Sequence, residues 1–166
     1  ELEGIIQTQV NPQIGLDFSR LLRTFLRQDP DIIMLGEIRD EESALMALRA
    51  AQTGHLVLST LHTNDAISAI SRLQQLGIQS HEIENSLLLV IAQRLVRKRC
   101  LKCDQHFSDS CDCHQGYQGR IGVYQFLQCE NNRYQTDFES LYQSALEKVK
   151  DHVTDLAEIQ RVLGKK

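Results

Sequence analysis

The most chemically suggestive feature of the sequence is a group of four cysteines within fourteen residues. Cys100 and Cys103 form a Cys-x-x-Cys pair, and Cys111 and Cys113 form a Cys-x-Cys pair. Two thiolates at the first spacing can share one Zn²⁺ in a tight turn, whereas the second pair has a shorter reach than usual. The preceding residues contain no cysteine, which favours a metal site in a reducing compartment over a secreted disulfide framework.

We therefore expect a structural zinc site with four thiolate ligands. His106 and His114 are nearby reserve ligands for a mixed sulfur and nitrogen site. The alternative is a degenerate cluster that binds metal loosely or not at all.

A second group of candidate residues follows short apolar runs. Glu37 comes directly after the run 31–36, and His62 follows the run 55–60, which His55 begins. A carboxylate just past a buried strand can polarise water toward a γ-phosphate or support Mg²⁺, and a histidine can donate to a phosphate oxygen. The alternatives are a solvated strand-end glutamate, one helper histidine and one packing histidine.

The two histidines are expected to lie at opposite ends of one strand. About 20 Å of strand would separate them, so a metal site shared by both is not expected. His62 is the stronger active-site candidate, because functional groups of α/β sheets gather at the carboxyl ends of strands.

The elements that position these residues alternate between helix and strand. Asp17 and Asp40 are typical N-caps, Pro30 ends the first helix, and Gly77 is a natural residue after a helix end. The pattern predicts helices over about 18–29, 41–52 and 65–76, and buried strands over 31–36 and 55–60. This order favours an α/β fold with a mostly parallel sheet.

Further elements are predicted outside this region. The run Ile5–Val10 is typical of a strand. Ser80 is expected to cap a fourth helix that carries Ile83, Leu87, Leu88 and Ile91. Two more helices are predicted over about Thr136–Leu163, with a break near Val153 and Thr154.

Composition excludes several classes of protein. Of the 166 residues, 42% are hydrophobic and 24% are charged, which excludes wholesale disorder. The net charge is −4, and no specific nucleic acid partner is expected, although five basic residues fall within 94–102. No run is long enough to span a bilayer, and no signal peptide is expected. The first residue is not methionine, so we expect a processed or cut piece.

Three long segments together resemble one family, the type II secretion and type IV pilus assembly ATPases. Residues 27–40 resemble the Walker B region of these proteins, and residues 53–66 resemble their His box. Residues 92–97, the cysteines and 116–124 resemble their tetracysteine segment. The segments 7–12 and 156–163 also match, so the resemblance covers nearly the whole chain in order.

The resemblance implies a motor with a RecA-like P-loop NTPase fold that hydrolyses ATP with Mg²⁺. Its members work as cytoplasmic homo-hexamers at the inner membrane, on an inner-membrane platform protein. By motif position, Glu37 would be the Walker B glutamate, His55 and His62 the His-box histidines, and Cys100, Cys103, Cys111 and Cys113 the Zn²⁺ ligands. The cysteines point to the assembly or secretion branch and away from pilus retraction.

The sequence departs from the family pattern in three places. The phosphate-binding motif G-x-x-x-x-G-K-[ST] is absent from these residues and is expected upstream, so the chain alone is predicted to be inactive. Only seven residues separate Cys103 from Cys111, where the family has a few dozen, and the helical tail is abbreviated.

The resemblance implies three parts and leaves two alternatives. The parts are the carboxyl-terminal portion of the ATPase core (1–93), a metal-binding subdomain (94–128) and a helical subdomain (129–166). One alternative function is a zinc-stapled docking module without enzymatic activity. The other is a degenerate family member that assembles with active subunits and turns over no ATP. Which arginines act between subunits is not predicted.

Overall fold

The computed structural model describes residues 3–103, 111–130, 133–135 and 139–164, which form two compact units. The first unit contains the described residues up to His62 together with Ile70–Ser86, and the second contains Thr63–Ala69 together with the described residues from Leu87 onward. The helices are α1 (Phe18–Phe25), α2 (Glu41–Gln52), α3 (Ala66–Gln75), α4 (Ser80–Ser86), α5 (Leu141–Lys150) and α6 (Leu156–Leu163). The strands are β1 (Ile32–Met34), β2 (Leu56–Leu58), β3 (Leu89–Arg99), β4 (Tyr117–Glu130) and β5 (Arg133–Gln135). Two 3-10 turns cover Pro12–Ile14 and Leu26–Gln28.

The first unit is built on a parallel strand pair, which confirms the predicted α/β fold. β1 and β2 pair in parallel, with Ile32 opposite Leu56 and Met34 opposite Leu58, and α2 connects them. One face of the pair packs on α1 and α2. The buried residues of this core are Leu22, Ile33, Leu35, Ala47 and Ala50.

The other face of this strand pair is open. Ile32 and Met34 are 59% and 76% exposed, and Leu56 and Leu58 are 44% and 47% exposed. Parallel sheets are ordinarily covered on both faces, and their strands are apolar on both sides for that reason. The open face is therefore an apolar surface of a kind that is normally buried.

The predicted helix starts at Asp17 and Asp40 and the predicted end at Gly77 are confirmed, whereas α1 ends at Phe25 and continues as the 3-10 turn Leu26–Gln28 before Pro30. The carboxylate of Asp17 accepts a hydrogen bond from the Arg20 N–H at 2.7 Å, and that of Asp40 accepts one from the Ser43 N–H at 2.8 Å. Gly77 follows α3 with a φ of +89°, a left-handed conformation that favours glycine after a helix.

The second unit carries an antiparallel sheet in the order β3-β4-β5. The predicted fourth helix is wrong beyond Ser86, because Leu88 follows the helix and Ile91 lies in β3, opposite Phe126 of β4. A short apolar run does not distinguish helix from strand, and the partner strand lies some thirty residues further along the chain. Ser80, the predicted N-cap, is instead the first helical residue. The Gln79 carbonyl, one residue earlier, accepts the first helical hydrogen bonds.

The strand predicted over Ile5–Val10 is likewise wrong. These residues belong to no strand, and Ile5, Ile6 and Val10 are all exposed. A strand needs a neighbour for its backbone N–H and C=O groups, and β1 and β2 are the only strands of the first unit within the described residues.

The two carboxyl-terminal helices are confirmed as α5 and α6, with the expected break between Asp151 and Asp155. The expected start at Thr136 lies outside the described residues. The predicted part boundaries after residues 93 and 128 fall within β3 and β4. The three-part division of the chain stays a prediction. Among the helices of the described ranges, none has the length and apolar character that crossing a membrane requires.

Candidate functional site

Glu37 and His62 meet at the carboxyl end of the parallel strand pair. The pairing continues beyond β1 and β2, since the Leu35 N–H donates to the Leu58 carbonyl at 2.8 Å and the Ile38 N–H to the Thr60 carbonyl at 2.9 Å. This places His62 Nε2 3.0 Å from Glu37 Oε2. Two residues 25 positions apart in the sequence thus share one contact, because parallel strands end at the same edge.

Arg39 is the second partner of the Glu37 carboxylate. Its guanidinium donates a hydrogen bond to Glu37 Oε1, while His62 contacts the other oxygen. The hydrogen bond from Arg39, followed by that from His62, lowers the pKa of Glu37 below its ordinary value. The Glu37 side chain is 30% exposed and that of His62 is 83% exposed, so both can be reached from solvent. The carboxylate is therefore ionised and accessible at neutral pH.

Arg72 on α3 completes a shallow surface cleft of about 400 Å³ with these residues. Its Nη2 lies 3.5 Å from the Arg39 carbonyl oxygen. Cationic groups around one carboxylate can bind phosphate oxygens while the carboxylate accepts from water or contacts a divalent cation. Sequence inspection missed Arg72, because no local pattern distinguishes it from a solvated helix arginine.

His55 lies away from this contact, at the start of β2. Its Nδ1 lies 2.9 Å from the Ala50 carbonyl oxygen and 3.1 Å from Thr53 Oγ1. The Ala50 carbonyl belongs to the last turn of α2 and also accepts from the backbone N–H groups of Thr53 and His55 and from Thr53 Oγ1. His55 thus caps the end of α2, and the described structure does not bring it to Glu37.

The four cysteines are brought together in the second unit. Their Sγ atoms all lie within 4.8 Å of one another. Cys100 Sγ is 3.7 Å from Cys111 Sγ, and Cys103 Sγ is 3.3 Å from Cys113 Sγ. A tetrahedral Zn²⁺ with bonds of about 2.3 Å separates its sulfur ligands by about 3.8 Å, so this donor set fits zinc.

The neighbouring backbone favours thiolate formation at Cys100. Burial raises the pKa of this thiol, but hydrogen bonds from the backbone N–H groups of Cys103 and Lys102 outweigh burial, and the pKa falls to about 7. Thiolates are the metal-binding form of cysteine. Of the two reserve ligands, His106 lies outside the described residues and His114 is not in the group of potential ligands.

Sequence inspection also missed a buried ionic cluster near these cysteines. The Glu158 side chain is completely buried and accepts hydrogen bonds from Arg97 Nε at 2.9 Å and Arg161 Nε at 2.7 Å. The hydrogen bonds from Arg161 lower the pKa of Glu158 most; burial opposes them and Arg97 adds to them, giving a pKa of about 2. Glu158 and Arg161 have the spacing of helix neighbours, but nothing local pairs them with Arg97, 61 residues away.

Comparison with a family model and with individual proteins identifies one family for this chain. The model of the family described as "Type II/IV secretion system protein" matches residues 1–161. The chain is 79% identical over 165 residues to a protein transport protein HofB homolog of Haemophilus influenzae, an alignment that covers 99% of this chain and 36% of the relative. It is 42% identical over 205 residues to the type IV pilus assembly ATPase PilB of Acinetobacter baylyi, with 97% and 35% covered.

The type II secretion system ATPase E of Vibrio cholerae is 38% identical over 203 residues, with 98% of this chain and 40% of the relative covered. This chain therefore spans well under half the length of these relatives. The alignments with PilB and ATPase E are longer than the chain itself, so both relatives contain residues between matched segments that this chain lacks.

Solved structures share the fold at low sequence identity. The ATPase DotB of Yersinia pseudotuberculosis superimposes with a TM-score of 0.72 at 20% identity, covering 94% of this chain and 42% of that one. DotB of Legionella pneumophila gives a TM-score of 0.67 at 22% identity, covering 84% and 40%. The described elements thus form an α/β arrangement already known from ATPases.

Proposed function

The chain belongs to the Type II/IV secretion system protein family, and from this premise we propose that it is part of an ATP-hydrolysing motor that powers type II protein secretion or type IV pilus assembly. The contact between Glu37 and His62 carries the proposal. It joins, at one sheet edge, a carboxylate and an imidazole from the two segments that resemble Walker B and the His box.

Glu37 is proposed as the carboxylate that acts on the attacking water or supports Mg²⁺. Its ionised form can accept a proton from water or contact the metal ion, which would neutralise charge on the phosphates. His62 is proposed to donate to a phosphate oxygen, because its ring is exposed beside Glu37. Arg39 shares the Glu37 carboxylate and is suited to bind an anion that enters the cleft.

His55, the other histidine of the segment that resembles the His box, is proposed to act indirectly, through the position of His62. Its hydrogen bond to Ala50 fastens the end of α2 to the start of β2. This would hold the register of β2 and thereby the position of His62.

The four cysteines are proposed to bind one structural Zn²⁺. The ion would join the segment after β3 to the segment before β4 through Cys100, Cys103, Cys111 and Cys113. With four protein ligands it would have no open position for substrate, so its role would be in stability.

The intact motor is proposed to assemble as a homo-hexamer on an inner-membrane platform protein, at the cytoplasmic side. The phosphate-binding motif absent from these 166 residues would come from elsewhere in the intact protein. The isolated chain is therefore expected to show no ATP turnover.

The decisive experiment measures steady-state ATP hydrolysis by the intact protein and by its Glu37→Gln and His62→Asn variants. Loss of a positioned acid–base group costs typically 10²–10⁴-fold in rate, and we expect a loss of at least about 100-fold for Glu37→Gln. The matched control is Glu147→Gln, an exposed glutamate on α5, which should retain the original rate.

Equal rates for the Glu37→Gln variant and the control would contradict the motor assignment of this site. Absence of turnover in the intact protein itself would favour the second candidate, a zinc-stapled docking module. The observation behind that candidate is the assembled cysteine cluster, whose four ligands would leave no open position on the metal.

A further inference from the structure

We propose that Glu158 on α6 is a positioning residue of the cysteine cluster, and that docking of α6 holds the two cysteine pairs at zinc-binding distance. The inference rests on the zinc site proposed above. To keep the two cysteine pairs at this distance, two chain segments must be held in place. They are the end of β3, which leads into Cys100, and the start of β4, which follows Cys113.

The first segment, the end of β3, is fastened to the tail of the chain by both backbone and side chain. The Arg97 N–H donates to Glu158 Oε1 at 2.9 Å, and the Arg97 guanidinium donates to Glu158 Oε2 at 2.7 Å. Thr154 Oγ1 donates to the Arg97 carbonyl at 2.8 Å, and the Arg99 N–H donates to the Val153 carbonyl at 2.8 Å. The last of these contacts lies one residue before the first cysteine.

The second segment, the start of β4, is fastened through Tyr117. The Tyr117 hydroxyl donates to Asp155 Oδ2 at 2.7 Å, and Asp155 is the N-cap of α6. Burial and the neighbouring Asp155 raise the pKa of Tyr117 to about 12, so the hydroxyl keeps its proton across the physiological range. The backbone of Tyr117 exchanges two hydrogen bonds, of 2.9 and 3.0 Å, with that of His114, the residue after Cys113.

A direct contact joins the two segments at α6. The Arg97 guanidinium lies over the Tyr117 ring, 4.1 Å from its centroid. Glu158 accepts from this guanidinium, and the Arg161 guanidinium also donates to Glu158. The guanidinium therefore has a fixed position between α6 and the Tyr117 ring.

Further contacts between the segments support the cysteine cluster, including the pairing of Arg99 with Tyr117 at the end of the β3–β4 ladder. The Cys100 N–H donates to the Gly116 carbonyl at 2.8 Å. Because α6 holds both strand ends, it restricts the separation of the two cysteine pairs before metal arrives. Outer-shell residues that orient metal ligands typically change metal affinity by 10–100-fold.

The coupling between α6 and the cluster must be reciprocal. If docking of α6 raises zinc affinity, zinc must stabilise the docking of α6 by the same factor. Zinc should thus protect α6 amides from hydrogen exchange, although α6 supplies no ligand.

The test measures the Zn²⁺ dissociation constant of the 166-residue chain under reducing conditions, by competition with a chromophoric chelator. We expect about one zinc per chain for the original sequence and at least about tenfold weaker binding for Glu158→Gln. The matched control is Glu147→Gln on α5, which should bind as the original does. Hydrogen exchange of α6 with and without zinc is the second readout.

Tyr117→Phe provides an independent variant in case Glu158→Gln does not fold. It removes one hydroxyl that donates to Asp155 and leaves the ionic cluster in place, so a several-fold loss of affinity is expected. Unchanged zinc affinity in a folded Glu158→Gln variant, or in Tyr117→Phe if the first is unfolded, would overturn the inference. A chain of original sequence that binds no zinc would refute the zinc site itself, and with it this inference.

Discussion

At the scale of single residues, the two acidic side chains that matter are held in different ways. Glu37 is partly exposed and has Arg39 and His62 as partners, whereas Glu158 is completely buried between Arg97 and Arg161. Both pKa values are lowered, but removing one partner of an exposed pair costs little stability, whereas removing one partner of a buried pair leaves an uncompensated buried charge and is strongly destabilising. We therefore expect substitution of Glu37 to affect catalysis, and substitution of Glu158 to affect the stability of the fold.

The titration of Glu37 provides the first prediction at this scale. Because hydrogen bonds from Arg39 and then His62 favour its charged form, its pKa should lie below the ordinary value and the carboxylate should be lost only as pH falls through that lowered pKa. Carbon-13 NMR of the side-chain carboxyl should show this directly. Arg39→Gln should raise the pKa of Glu37 toward the ordinary value and His62→Asn should raise it less. An unshifted titration in the original chain would show that neither contact persists in solution.

The buried Glu158 carboxylate leads to a prediction about stability and pH. Its pKa is about 2 in the folded state, below the ordinary 4.5 of an unfolded glutamate. The unfolded chain then binds the proton more readily, so the contribution is complete above about pH 4.5 and is lost as pH falls toward 2. Removing one partner of a buried ion pair costs roughly 3 kcal/mol of stability. The Glu158→Gln variant should therefore have a free energy of unfolding about 3 kcal/mol lower than the original chain at pH 7.

Urea unfolding at several pH values distinguishes this effect from a general loss of packing. The difference in the free energy of unfolding between the original chain and the Glu158→Gln variant should decrease from pH 5 to pH 2.5. A difference that stays constant over this range would mean that the carboxylate charge does not contribute to stability.

At the scale of secondary structure elements, a side-chain hydrogen bond strengthens the α2–β2 connection. His55 Nδ1 donates to the Ala50 carbonyl at the end of α2, which also accepts from the backbone N–H groups of Thr53 and His55 and from Thr53 Oγ1. His55→Ala should lower the free energy of unfolding by about 1 kcal/mol, the usual value of one hydrogen bond. His62→Ala should change it by less than about 0.5 kcal/mol, because the His62 side chain is 83% exposed. Denaturant unfolding measures both, and equal losses would contradict this separation of roles.

Elements with local signals could be predicted from the sequence, and those that depend on distant partners could not. Asp40, Gly77 and the apolar runs mark α2, the end of α3 and the parallel strands within a few residues of their positions. The approach of Glu37 to His62 also follows from strand order alone. In contrast, the sequence predicts helix as far as Ile91, in the first residues of β3, because the partner strand β4 begins beyond the cysteine cluster. The contact of Arg97 with Glu158 was unpredictable for the same reason.

At the scale of the whole molecule, the open face of β1 and β2 makes the isolated chain prone to associate. Its exposed apolar residues are Ile32, Met34, Leu56 and Leu58. Contiguous apolar surface of this kind promotes binding to other apolar surfaces. We expect the 166-residue chain to bind an apolar fluorescent dye and to self-associate at high concentration.

The double variant Ile32→Thr and Met34→Gln should reduce both effects with little change in thermal unfolding, because these side chains are already exposed. Dye fluorescence and light scattering with size-exclusion chromatography measure them. Dye binding equal to that of the original chain would place the apolar surface elsewhere. The matched control is Ile67→Thr on α3, also exposed but outside this face.

The continued pairing of Leu35 with Leu58 and of Ile38 with Thr60 also limits how such sequences can diverge. Side chains alternate between the two faces of a strand, so one residue inserted or deleted between Leu35 and Glu37, or between Leu58 and His62, would turn one of the two side chains away from the other. Substitutions within these two stretches can leave the pair intact, whereas a change in the length of either stretch shifts the imidazole relative to the carboxylate. Among genes descended from a common ancestor, the length of each stretch is therefore a stricter sign of a retained site than the identity of the residues within it.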